Sequence, residues 1–124
     1  MATNRTGRDL AAPHIYRDDD LRSNVVQIAT EPCDLYGWNI INPNSYSVYV
    51  KFYDTVDTVT VGTTTVVKTL LVPSMSTVVY GSSTIRGNSQ FVFNRGIQMA
   101  VTTGMADSST SAPILSVYTE IFYR

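Results

Sequence analysis

The sequence predicts an all-β protein, an antiparallel β-sandwich of jelly-roll-like form with an extended N-terminal arm. Three observations predict it. Residues 23–124 are rich in Val, Thr, Ser and Tyr, arranged in short alternating runs. Turn residues separate these runs, and no stretch shows the 3.6-residue period of a helix. Charge sets the first 22 residues apart: eight of them are charged, against eleven of the following 102.

Residues 1–22 show no regular period and carry Arg5, Arg8, Asp9, Arg17, Asp18, Asp19, Asp20 and Arg22. A stretch of this kind cannot pack a core of its own and is expected to be an extended polar arm. The sandwich domain is expected over residues 23–124. Its first strand is Val25–Thr30, closed by Glu31-Pro32. Leu35–Ile41 follows, with Tyr36, Trp38 and Ile40 expected on one core face, and Asn42-Pro43-Asn44-Ser45 ends it as a turn. Tyr46–Tyr53 places Val48, Val50 and Phe52 on one face and Tyr49, Lys51 and Tyr53 on the other.

Asp57–Val61 and Val66–Val72 flank Gly62-Thr63-Thr64-Thr65 as an expected hairpin. After Pro73-Ser74 come Met75–Tyr80, Gln90–Phe93 and Ile97–Thr103. The small polar loop Gly104–Pro113 leads to Ile114–Tyr123, with Leu115, Val117, Ile121 and Tyr123 on one side and Tyr118, Glu120 and Phe122 on the other. Eight or nine short strands without a helix fit a jelly roll, and equally a Greek-key sandwich of other connectivity. Tyr49, Tyr53, Tyr118 and Phe122 fall outside the core faces. They read either as an oligomer interface, where aromatic residues are favoured, or as half-exposed strand residues.

A chain of 124 residues has room for one domain. Its net charge of −1 and scattered arginines give no nucleic-acid footprint. Cys33 is the only cysteine, which allows no internal disulfide and suits a reducing cytoplasm. No apolar run has the length of a signal peptide or membrane span, so no membrane association is expected. The only histidine, His14, falls in the arm, where fixed catalytic geometry is not expected. Cys33 lies beside Asp34, which disfavours a thiolate.

The carboxylate pairs Glu31/Asp34 and Asp54/Asp57 flank turns and read as caps. Asp18-Asp19-Asp20 lacks the spacing of a calcium loop. Trp38 shares a face with apolar neighbours and reads as core before it reads as a sugar platform. No catalytic, metal or cofactor residue is expected.

A set of segments resembles small phage virion proteins. They are Leu35-Tyr36-Gly37-Trp38-Asn39 with Asn42-Pro43-Asn44, Tyr49-Val50-Lys51-Phe52-Tyr53, Thr60-Val61-Gly62-Thr63, and the strand ending at Pro73. Gly96-Ile97, Ala100-Val101-Thr102-Thr103-Gly104, Ala106-Asp107 and the terminal Phe122-Tyr123-Arg124 complete the set, which covers most of residues 35–124. The look is similar to capsid decoration, or cement, proteins and to β-sandwich modules of tails and fibres. Residues 74–77 and the arm depart from that pattern.

The resemblance implies a homo-oligomer, often a trimer, located on the virion after assembly in the host cytoplasm and bound to the major capsid protein. Tail or fibre adaptor and carbohydrate-binding module are the alternatives. The arm is expected to reach neighbouring shell subunits, since 22 extended residues span up to roughly 70 Å. Arg5, Arg8, Arg17 and Arg22 would meet shell carboxylates, and Asp18, Asp19 and Asp20 shell arginines.

Overall fold

A computed structural model describes residues 14–81 and 91–124. Among these residues there is no helix, and nine strands form: β1 (His14–Leu21), β2 (Val26–Ala29), β3 (Cys33–Asn42), β4 (Val48–Tyr53), β5 (Lys68–Val72), β6 (Ser76–Gly81), β7 (Phe91–Phe93), β8 (Ile97–Thr102) and β9 (Val117–Tyr123). They build two antiparallel sheets. Sheet A has the order β1-β9-β3-β6, with β7 also on β3, and sheet B the order β2-β8-β4-β5. The protein is a β-sandwich.

The pairing is nested. β1 pairs with β9, β2 with β8, β3 with β6 and β7, and β4 with β5. The chain is thus one long antiparallel strip rolled on itself, closed by the β3–β9 and β4–β8 ladders. Period-2 alternation supplies the core. Val48, Val50 and Phe52 of β4 face Ile40, Val117 and Ile121 of sheet A within one fully buried cluster.

Residues 14–21 correct the expected boundary at residue 22. They are not an arm but an edge strand, registered from His14↔Tyr123 to Leu21↔Val117. A β-bulge between Asp18 and Leu21 breaks the alternation there and turns Leu21 fully into the core. Arg5 and Arg8 lie outside the described residues.

A second bulge falls in β3. Leu35 opposes Tyr123 and Gly37 opposes Phe122, so Tyr36 is the extra residue. Leu35, Trp38 and Ile40 therefore share the core. The expected grouping of Tyr36 with Trp38 and Ile40 does not form, because the inserted residue shifts the parity of the strand.

The expected hairpin over Asp57–Val72 is also corrected. Only Lys68–Val72 is a strand, and its partner is β4. Residues 54–67 cross the outer face of sheet B and pin themselves there. Val59 is buried with Tyr53 and Ala100, and Val25, Val61 and Val66 pack around them. The Gln98 amide donates to the carbonyls of Thr55 (2.9 Å) and Asp57 (2.7 Å). Gly62 turns the loop at φ 92°, where a Cβ would stand 2.6 Å from Thr110.

One polar group joins distant segments. The buried Asn42 amide donates to the carbonyls of Tyr46 (2.9 Å), Val72 (3.1 Å) and Pro73 (3.1 Å), while its oxygen accepts from the Asn44 backbone and side chain. Asn44 in turn brackets Leu115 through its backbone N–H and C=O. The turn after β3, the end of β5 and the entry to β9 are held at one point.

A detachable arm and an integral strand give opposite outcomes for Leu21→Ala. The side chain is completely buried, so truncation is expected to cost about 2–5 kcal/mol in urea unfolding. An unchanged midpoint would return residues 14–21 to the arm.

Candidate functional site

The two outer faces of the sandwich differ. Sheet B is covered by its own chain: Tyr53 and Lys51 are fully buried beneath residues 54–67 and 104–110, with the Lys51 ammonium donating to the Ala106 carbonyl. Burial lowers the Lys51 pKa against the opposing pull of Asp107. Sheet A has no such cover among the described residues. Its outer face presents Ile15 (61% exposed), Val92 (66%), Val79 (72%) and Ile41 (39%), with Tyr118 and Phe122 half-buried among them.

Cross-strand register fixes this surface. Ile15 opposes Phe122, Arg17 opposes Glu120, Asn39 stands between Glu120 and Val79, and Ile41 lies between Tyr118 and Thr77. A polar ladder crosses the middle. Arg17 Nε donates to the Tyr118 hydroxyl (3.1 Å), and that hydroxyl donates to Glu120 Oε2 (2.6 Å). Asn39 Nδ2 donates to Glu120 Oε1 (3.3 Å). Arg17 also lies 3.6 Å from Glu120 and 5.7 Å from the Tyr118 ring. The hydrogen bonds from Tyr118 and Asn39, with the Arg17 charge, hold the Glu120 carboxyl below its ordinary range, and the bond to Glu120 raises the Tyr118 phenol.

The four aromatic residues expected at one interface are divided between opposite sheets. Tyr118 and Phe122 lie on the bare face of sheet A. Tyr49 lies half-buried on sheet B between Thr102 and Leu71. Tyr53 is 0% exposed and cannot meet a partner, because the crossing loop already covers it. Sequence alternation placed Tyr53 on the outer face without revealing that the chain returns over that face.

The charged residues expected to pair with a shell make contacts within the chain. Arg17 joins the polar ladder. Asp18 accepts from the Asp20 backbone N–H (2.8 Å) and the Tyr16 hydroxyl (3.4 Å), which fixes the bulge. Asp20 accepts from the Ser116 hydroxyl, and Arg22 donates to the Ile114 carbonyl (2.9 Å). Asp19 is exposed. Arg17, Asp20 and Arg22 tie β1 and the residue after it to β9 and its approach.

Three other features concentrate side chains. Trp38 is 7% exposed, with Tyr80 stacked at 4.7 Å and the Lys68 ammonium over the rings of Trp38 (5.4 Å) and Phe91 (3.9 Å). It fills the core at the sandwich end and offers no open platform for a sugar. Asp54 caps the β7–β8 turn. Burial alone would raise its carboxyl, but the backbone N–H groups of Asn94 (2.9 Å), Arg95 (2.8 Å) and Gly96 (3.4 Å) bring it below the ordinary value.

A cleft of about 350 Å³ is lined by His14, Thr30, Glu31, Cys33, Tyr123 and Arg124, among others. Burial, then the charges of Asp34, Asp54 and Glu31, push the Cys33 thiol up to about 11. Such a thiol is a poor nucleophile at neutral pH. No cluster of three His, Cys, Asp or Glu residues suited to a metal occurs among the described residues. The bare face of sheet A is the candidate functional surface. The chain matches no model of a known protein family, and no curated protein matches it significantly.

Two outcomes test these environments. Removing the hydroxyl in Tyr118→Phe should move the Glu120 pKa, followed by carbonyl-carbon NMR, upward toward that of a free glutamate; no movement would dissolve the ladder. For Cys33, a pKa raised from 9.0 to about 11 on folding gives a stability contribution that is complete below pH 9 and lost as pH rises toward 11. The melting temperature of the wild type should therefore fall more steeply across that window than that of Cys33→Ser.

Proposed function

We propose that this protein is a virion structural protein of the decoration, or cement, type, which docks on the assembled shell through the outer face of sheet A and acts as a homo-oligomer. The carrying observation is the asymmetry of the two faces among the described residues: one is covered by the chain itself, the other is bare with four exposed aliphatic side chains. A sheet face with apolar flanks and a central hydrogen-bonded polar line suits a structural contact. Contiguous exposed apolar side chains mark contact surfaces, and here they flank a polar centre, the reverse of the usual apolar centre and polar rim.

Two further points support the reading. The strand orders β1-β9-β3-β6 and β2-β8-β4-β5, with nested pairing, support the jelly-roll form that the resemblance over residues 35–124 implies. Arg17, Asp18, Asp20 and Arg22 are engaged within the sandwich, which favours the face over these four residues as the carrier of recognition; Arg5 and Arg8 lie outside the described residues. The major capsid protein is the partner, and the capsid surface is the location. The carbohydrate-module alternative loses support because Trp38 is packed in the core.

Copy number per purified particle, from quantitative mass spectrometry against the major shell protein, tests the reading. A number on the scale of the lattice is expected, and a few copies would indicate a tail or fibre adaptor. Absence from particles would overturn the virion reading. The double variant Ile15→Glu/Val92→Glu alters two exposed positions of the face. It should fold normally yet decorate shells poorly, whereas normal decoration would exclude this face.

A further inference from the structure

The cleft beside Cys33 bridges the two sheets at their strands β1 and β2. His14 and Tyr123 come from sheet A, Gln27 and Ile28 from sheet B, and Thr30 and Glu31 from the turn that joins β2 to β3. Every residue that lines it is among those described. Ile28 belongs to the buried core cluster and gives the lining an apolar part. The rings of His14 and Tyr123 lie 5.2 Å apart, tilted by 38°. A volume of about 350 Å³ stands at the small end of the range for ligand sites.

The fold leaves the polar groups of this cleft largely unused. Among the described residues, the side chains of His14, Thr30, Glu31 and Tyr123 make no hydrogen bond or ion pair. Gln27 makes one long bond, to the Ala29 carbonyl (3.5 Å), and its amide oxygen makes none. Two classes of ligand fit poorly. A divalent cation lacks ligands, since no three His, Cys, Asp or Glu residues converge among the described residues. An anion meets the Glu31 carboxylate, while the Arg124 guanidinium lies over the Tyr36 ring at 4.2 Å. The remaining groups suit a neutral ligand that both donates and accepts. The Thr30 and Tyr123 hydroxyls and the Gln27 amide do both, and the Glu31 carboxylate takes two donors.

We infer that this cleft binds a neutral sugar, with the hydroxyls of one pyranose ring on Gln27, Thr30 and Glu31 and its C–H face on the His14–Tyr123 pair. Adjacent sugar hydroxyls match a carboxylate with an amide beside it. The C–H face of the ring suits aromatic and aliphatic walls. Trp38 does not line the cleft, so its packing in the core is no obstacle. Nor do Ile15, Ile41, Val79 and Val92, so docking through those residues does not draw on it. One small, open cleft binds weakly, with a dissociation constant of about 1–10 mM. Many copies on one particle would hold a glycan-bearing surface far more tightly than a single cleft does. That gain rests on the decoration reading, and the ligand class does not.

Amide chemical shifts of the isolated full chain test this, with glucose, galactose, mannose, N-acetylglucosamine and rhamnose added in turn. At least one sugar should shift the amides of Ile28, Thr30, Cys33 and Tyr123 to saturation. Glu31→Ala and Gln27→Ala replace exposed residues and should leave the melting temperature unchanged. The first should weaken binding about tenfold and the second about threefold. Val79→Glu, on the outer face of sheet A, should bind as the wild type does. No saturating shift with any of these sugars would overturn the inference, as would wild-type affinity in both alanine variants. Shifts at these amides with sodium sulfate but with no sugar would overturn it in favour of an anion site. Decoration is measured on assembled shells with other variants, so either reading can fail without the other.

Discussion

The roll of this sandwich depends on a buried amide at the point where three segments meet. Asn42 donates to three carbonyls from the turn after β3 and from the β5–β6 corner, and with Asn44 it reaches the entry to β9. The carbonyls of Tyr46 and Pro73 belong to irregular backbone with no ladder to satisfy them, and that of Val72 ends β5. Left unpaired inside the protein, each would cost about 1–3 kcal/mol. One side chain of fixed planar geometry meets them together and so specifies how the strip folds back, a selection that the nondirectional burial of Val and Ile could not make.

That fixed roll creates the inequality between the faces. With β4 and β5 joined by 14 residues rather than a tight hairpin, the chain has length to spare, and it spends that length crossing sheet B. Val59, Val61 and Val66 supply the apolar contacts, and Gln98 holds the carbonyls of Thr55 and Asp57, while Lys51 holds the Ala106 carbonyl of the loop between β8 and β9. Among the described residues, sheet A receives no such cover. Its outer face keeps apolar residues that the fold does not need for its core, with the Arg17–Tyr118–Glu120–Asn39 line to keep it ordered in water.

Much of the strand layout was legible from alternation and turn chemistry. β2, β4 and β8 fall within the expected segments, and the inward set Val48, Val50 and Phe52 is the one expected. What escaped has specific causes. β1 reads as an arm because its charges belong to an edge strand, where charge guards the open side, and because a bulge interrupts its period. The β3 bulge hides in the same way, since one inserted residue reverses the parity for the rest of the strand. Val59 and Val61 alternate like a strand but pack on a sheet face without joining it. Tyr118 and Phe122 were marked as outward-facing by period alone. The Arg17 to Glu120 pairing joins residues 103 positions apart and left no local signal.

The nested pairing of the strands also sets the order of events at the ribosome. β9 lies between β1 and β3 in sheet A, so β1 has no sheet partner until residues 117–123 have emerged, whereas β3 can pair earlier with β6 and β7. The β4–β5 pair can also form during synthesis, but the sheet that carries the candidate surface closes only once β9 is made. Until then β1 waits as an unpaired strand. The charges of β1 thus protect the growing chain for most of its synthesis, well before they border a finished sheet.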